Sequence, residues 1–216
     1  MRLSLFRPRL PFLIFIIIIL VSSIIGYAII NSSIATHTSV LRGDYFRLKT
    51  DYLEVDFPKS WYSGKAEDIN QTFGNRYIVY LAPIYLRAVV FFRIYDEKAT
   101  QSFSYEHNIT NMFSINSFEI NQLFNSALAE NINATLSIIE NSTITVSTHE
   151  ASYVVVDIKN GLKDNDVYYN LTGIFISLIK QGNNGKIIKQ IIFYGEENDW
   201  NQTRDTFMII LNSIKI

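Results

Sequence analysis

The chain has no cysteine and only three histidines, four prolines and nine glycines in 216 residues. Without thiols, disulfides, thiolate metal sites and cysteine nucleophiles are excluded outright. His37, His107 and His149 stand alone, with no second histidine at metal-ligand spacing. Glu106-His107 and His149-Glu150 are adjacent pairs that on a strand would point to opposite faces, and both read as solvated loop residues. Gly182-Asn183-Asn184-Gly185-Lys186 has too few residues between its glycines, and no Ser or Thr after the lysine, for a phosphate-binding loop. Asp164-Asn165-Asp166 opens like a calcium loop but lacks the turn glycine and the distal glutamate. The sequence contains no Gly-x-Ser-x-Gly elbow. No catalytic, cofactor-binding or metal-ligating residue is therefore assigned, no cofactor is expected, and the chain reads as a non-enzyme.

Positive charge is also scarce where a nucleic acid would need it. Arg2, Arg7 and Arg9 precede a gap that runs to Arg42, and setting them aside leaves sixteen basic against twenty acidic residues. With no basic run to track a phosphate backbone, nucleic acid is not an expected partner.

What the sequence does have is one long apolar run, Phe12 to Ile30, directly behind those arginines. Its nineteen residues, at ~1.5 Å each as a helix, match a hydrocarbon layer of ~30 Å. Fourteen of them are Ile, Leu, Phe or Val, so insertion is favoured by about 4–8 kcal/mol. The charge asymmetry keeps the N-terminus in the cytoplasm and exports the rest. The expected organisation is a basic cytoplasmic tail over 1–11, a transmembrane anchor over 12–30, a polar linker over 31–50 and an extracytoplasmic domain over 51–216. The expected location is the plasma membrane, as a single-pass protein. The alternative is a secreted protein, cleaved after the small residues of Ser33-Ile34-Ala35.

Asparagine is abundant, and seven Asn-x-Ser/Thr acceptor sequons occur, at Asn31, Asn70, Asn108, Asn133, Asn141, Asn170 and Asn201. Roughly three would arise by chance in this composition. N-glycosylation of an exported surface and accidental matches in an Asn-rich sequence are both open readings. The excess fits an archaeal or eukaryotic surface protein better than a typical bacterial one.

Along the exported part, Leu53, Val55 and Phe57 alternate with charged residues as a half-buried strand does, and Pro58 ends it. Trp61 is expected to plug the edge of the core. The stretch through Gly74 reads as polar loop, Tyr77–Leu81 as a strand, and Ala88–Tyr95 as a central strand apolar on both parities except at Arg93. Asp96–Asn111 reads as a surface loop. Ser117 is expected to cap a helix carrying Ile120, Leu123, Phe124, Ala127 and Leu128 on one face. Three short strands follow, over 135–139, 143–147 and 151–158, separated by the turn-like Glu140-Asn141-Ser142 and Thr148-His149-Glu150. The clearest hairpin joins Val167–Lys180 to Lys186–Tyr194 through an Asn- and Gly-rich turn. A closing helix is expected with Asn198 as N-cap, Asp199 at its positive end, and Trp200, Phe207, Ile210, Leu211 and Ile214 as its apolar stripe. The fold class is α+β, a mainly antiparallel β-sheet with helices packed on its faces, preceded by one transmembrane helix.

The order of these elements carries a resemblance. Val55-Asp56-Phe57-Pro58-Lys59-Ser60-Trp61, the strand opening Ala151-x-Tyr153, the long hairpin and the closing helix from Trp200 to Lys215 together resemble the PsbP/Mog superfamily over about Asp51 to Ile216. That superfamily includes extrinsic photosystem subunits, Ran-binding proteins and many prokaryotic anchored proteins and lipoproteins. The resemblance implies an α/β/α sandwich and a non-catalytic binding or assembly role, with an envelope or membrane-complex protein as partner. It carries over no site residue, and the anchor departs from the plant photosystem members. A small-ligand-binding or sensory ectodomain is the alternative function, and a hydrolase of envelope polymers comes third.

Overall fold

A computed structural model describes residues 44–216, except residue 71 and residues 165–166. The expected cytoplasmic tail, the anchor, the cleavage site near Ala35, His37 and Asn31 lie outside the described residues. Among the described residues no helix is long and apolar enough to cross a membrane.

Strands β1 (Tyr45–Lys49) and β2 (Glu54–Pro58) form a separate antiparallel hairpin. Seven more strands make one fully antiparallel sheet: β3 (Trp61–Asn70), β4 (Gly74–Pro83), β5 (Ala88–Tyr95), β6 (Thr135–Val146), β7 (His149–Asp164), β8 (Val167–Gln181) and β9 (Lys186–Glu196). Their spatial order is β3-β4-β5-β9-β8-β7-β6. Two meanders therefore meet at the β5–β9 pair. Helices α1 (Glu97–Glu106) and α2 (Met112–Glu130) carry the chain from the middle of the sheet to its far edge, and α3 (Glu197–Ser213) closes the chain.

The sheet is covered on both sides. On one, α3 and the β1–β2 hairpin bury Phe193, which stacks on Phe207 at 4.4 Å and lies 4.9 Å from Trp200. Trp61 is buried in this cluster, as expected of a core plug. All five expected stripe residues of α3 are buried with it. On the other side, α2 packs Ile120 against Val154, Val156, Phe175 and Ile192, while α1 packs Ala99 and Phe103 against Tyr95 and Ile188. The result is the expected α/β/α sandwich.

Several local expectations are corrected. The folded part begins before Asp51, because Phe46 and Leu48 alternate with Arg47 and Lys49 inside the expected linker. Leu48 is buried, and Arg47 forks onto Asp56 with bonds of 2.7 and 2.9 Å. The polar stretch after Trp61 is β3, an edge strand with few apolar residues to betray it. Asp96–Asn111 is mostly helix. Asp96 starts α1 by accepting from the Ala99 amide at 2.8 Å, and its other oxygen accepts from the Asn75 amide at 2.7 Å. That embrace explains Gly74, whose φ of +87° no other residue adopts easily and whose missing Cβ would run into Asp96 and Ala99.

Helix α2 starts earlier than expected, capped by Asn111 rather than Ser117. The Asn111 side chain accepts from the Ser114 amide, and the Ser114 hydroxyl accepts from the Asn111 amide. Strand β6 is continuous. Its register shifts between Ile138 and Glu140, a bulge, and the expected turn residues Glu140, Asn141 and Ser142 pair with Val155, Val154 and Tyr153 of β7. Helix α3 begins after Glu196, and Asn198 lies in its first turn, donating to Glu196 Oε1 at 2.9 Å instead of capping.

Candidate functional site

Directly opposed residues on neighbouring strands share a face, and one such set crosses the centre of the sheet. Arg93 on β5 faces Gln190 on β9, Gln190 faces Ser177 on β8, and Ser177 faces Ser152 on β7. Four polar residues thus lie in register across four strands that are otherwise apolar. Helix α2 lies over this row and adds Asn116 and Glu119, three residues apart and so on one helical face.

The bonds are short and cross between elements. Arg93 Nη1 donates to Glu119 Oε2 at 2.6 Å. Asn116 Nδ2 donates to Ser152 Oγ at 2.9 Å and to the Phe175 carbonyl at 3.0 Å, and Ser177 Oγ donates to Asn116 Oδ1 at 2.6 Å. Ser152 Oγ in turn donates to the Met112 carbonyl at 3.0 Å. Gln190 is 1% exposed, yet neither end of its amide has a hydrogen-bond partner, nor does Arg93 Nε. Burial opposes the Arg93 charge, but the Glu119 carboxylate outweighs it and holds the guanidinium above its ordinary value. Burial, reinforced by Glu119, pushes the Tyr95 phenol up to about 12, and burial raises Tyr194 as well. These groups are covered by α2, with α1 over Tyr95, and the arginine and glutamate neutralise each other. The row is chemically suited to fixing how α2 docks, and it offers no exposed nucleophile or base.

On the opposite side of β9 sits Lys189, 8% exposed, its Nζ donating to the Tyr52 carbonyl at 3.0 Å. Burial, with Lys180 nearby, pulls this amine down to about 8. Tyr52 stacks on Tyr77 at 4.2 Å, and a hydrogen bond with Tyr77 together with burial lifts its phenol to about 12.

An open groove of about 790 Å³ runs between α1 and the β8–β9 turn, lined in part by Thr100, Gln101, Ser104, Ile179 and Lys186. Glu97 pins its rim, accepting from the Asn184 amide at 2.8 Å.

The two sheet edges differ. Strand β3 carries Lys65, Glu67 and Asp68, the charges that discourage edge pairing. Strand β6 is twelve residues long, pairs only with β7 among the described residues, and exposes Ile138 and Ile139, with Glu140 as its single charge.

Residues singled out in the sequence fall at separate places. Asn108, Asn133, Asn141 and Asn201 are exposed, and Asn70 ends β3. Asn170 is half-buried and engaged at both amide atoms, accepting from the Asn160 amide at 3.1 Å and donating to Glu197 at 2.8 Å. His107 is exposed in the turn that follows α1, as expected. It caps the C-terminus of α1 with its ring 4.2 Å from that of Phe118. His149 opens β7 beside the Thr148 hydroxyl. Among the described residues no group of three His, Asp or Glu side chains is placed to hold a metal. The polar row as a row escaped sequence reasoning, although Arg93, Ser152 and Ser177 each interrupt an apolar stretch, as in Phe92-Arg93-Ile94 and Ile176-Ser177-Leu178.

No family model matches the chain, and no curated protein matches it. Among solved structures it is similar to the solution structure of cyanobacterial PsbP (CyanoP) from Synechocystis sp. PCC 6803, at 11% identity and a TM-score of 0.47, over 82% of this chain and 95% of that one. It is also similar to the crystal structure of LpqN, involved in cell envelope biogenesis of Mycobacterium tuberculosis, at 10% identity and a TM-score of 0.36, over 76% and 82%. The fold itself is one antiparallel sheet held between a two-helix layer and a layer made of α3 and the β1–β2 hairpin.

Proposed function

We propose that this chain is a membrane-anchored extracytoplasmic binding or assembly module without catalysis, which takes an extended segment of an envelope or membrane-complex protein along β6. The observation that carries the reading is the β6 edge, which has a single charge, Glu140, and one bulge beside it. Main-chain groups of a twelve-residue strand face outward there, flanked by the exposed Ile138 and Ile139. An added strand would take affinity from the backbone ladder and selectivity from alternate side chains.

A photo-crosslinker in place of Ile138, activated in native membranes, is expected to give one discrete protein adduct. The same group at Tyr62 on the charged β3 edge should give none, and Ile139→Lys should abolish the adduct. Equal adducts from both edges, or a glycan occupying Asn141 on β6, would refute this reading. The groove beside α1 favours a second reading, a small-ligand-binding or sensory ectodomain. A ligand at ~100 times its dissociation constant would add about 2.7 kcal/mol of stability, which thermal-shift screening detects.

A further inference from the structure

Three polar atoms in the middle of the sheet, Gln190 Oε1, Gln190 Nε2 and Arg93 Nε, have no hydrogen-bond partner among the described residues. They belong to two residues that face each other across the β5–β9 pair, so their Cβ atoms stand about 4.5–5.5 Å apart on one face. Folding strips water from all three, and a buried donor or acceptor that gains nothing in exchange is costly. The other members of the row are engaged elsewhere. Arg93 Nη1 is committed to Glu119 at 2.6 Å, and Asn116 is taken up by Ser152, Ser177 and the Phe175 carbonyl.

The surroundings decide what satisfies the three atoms together. The occupant has to be small, since Gln190 is 1% exposed and Ser177 beside it is fully buried. It has to be uncharged, since Arg93 and Glu119 cancel each other and burial keeps the neighbouring Tyr95 and Tyr194 phenols protonated. It has to accept two hydrogen bonds and donate one, since two of the atoms carry N–H groups and the third is a carbonyl oxygen. The wall around them is apolar, with Phe91, Ile188 and Ile192 on the same face of the sheet and Ile120 on α2.

We infer that one enclosed water molecule is bound between Arg93 and Gln190, accepting from Arg93 Nε and Gln190 Nε2 and donating to Gln190 Oε1. About three hydrogen bonds is the usual complement of a buried water. This water ties β9 to Arg93 and, through the Arg93–Glu119 pair, to α2. It lies beneath the helix, so it exchanges with solvent only when α2 opens locally, and it stays far longer than a surface water. The inference depends neither on the β6 edge nor on the anchor.

Full-length protein, isotope-labelled and held in detergent micelles, is read by water-selective cross-relaxation. The Gln190 side-chain amide and the Arg93 Nε–H should each show a cross-peak at the water frequency. Its sign should differ between the laboratory and rotating frames, as dipolar contact requires and proton exchange does not. Gln190→Met, which roughly keeps the volume and removes the amide, should abolish the Arg93 cross-peak. Tyr194→Phe and Ser177→Ala should each keep both cross-peaks, which separates bound water from protons relayed through a hydroxyl. Absence of a water cross-peak at either group in the parent protein overturns the inference, whether or not Gln190→Met folds. So does a direct Arg93–Gln190 contact without water, loss of the peaks in either hydroxyl variant, or survival of the Arg93 peak in Gln190→Met.

Discussion

The two sides of the sheet are built on different principles. Under α3 the core is dry and aromatic, with Phe193 against Phe207 and Trp200. Under α2 the apolar packing is crossed by the row Arg93-Gln190-Ser177-Ser152, tied to the helix through Asn116 and Glu119. Dispersion and burial tolerate small shifts of a helix, whereas hydrogen bonds do not. The first side therefore supplies stability and the second fixes one position and rotation of α2. A buried pair such as Arg93–Glu119 is weak evidence of stability in itself, because desolvation offsets much of the attraction.

This contrast can be broken by substitution. Phe207→Ala on the dry side should cost about 3–5 kcal/mol in urea unfolding, and no single partner change should restore it. Glu119→Leu should cost about 3 kcal/mol by stranding the Arg93 charge. The double variant Arg93→Met/Glu119→Leu should recover most of that loss and, where α2 docking is fixed by the pair, show faster amide exchange along α2. If the double variant is as unstable as the single one, the row is a stabilising element and the contrast between the two sides fails. Asn116→Ala should cost about 1–3 kcal/mol, since Ser177 and the Phe175 carbonyl lose their buried partner.

The smallest effect carries a pH signature. The Lys189 amine titrates near 8 in the fold, below its unfolded value, so the folded state disfavours its charged form. The resulting destabilisation is fully present below pH 8 and is relieved as pH rises toward the unfolded value. Lys189→Met should thus be more stable than the parent by on the order of 1 kcal/mol at pH 7, allowing for solvent screening. That advantage should shrink above pH 8. The parent–variant difference isolates Lys189 from Tyr52 and Tyr95, whose raised values act oppositely above their ordinary range.

Most of the architecture was legible from the sequence because burial repeats at a fixed period. Leu53, Val55 and Phe57, the run Ala88–Tyr95 and the stripe of α3 each announce their face. Strand β3 was not legible, since an edge strand with Lys65, Glu67 and Asp68 has little apolar pattern to show. Helix α1 hides for a similar reason, with Ala99 and Phe103 as its main buried apolar residues. The polar row was beyond reach for another reason. Its members come from four strands and one helix, and only strand order and register bring them together.

The pairing of β5 with β9 also sets the timing of folding. Their residues lie roughly a hundred positions apart, whereas each meander on either side is stitched by short turns. Loop closure over that distance is slow compared with hairpin formation. In a chain made from its N-terminus, β3, β4 and β5 emerge long before β9. Until then β5 is an unpaired edge bearing Val89-Val90-Phe91-Phe92, a segment prone to pair with other chains. The hazard lasts as long as synthesis of the second half takes, so crowding of nascent copies is a stress this fold meets before it is complete.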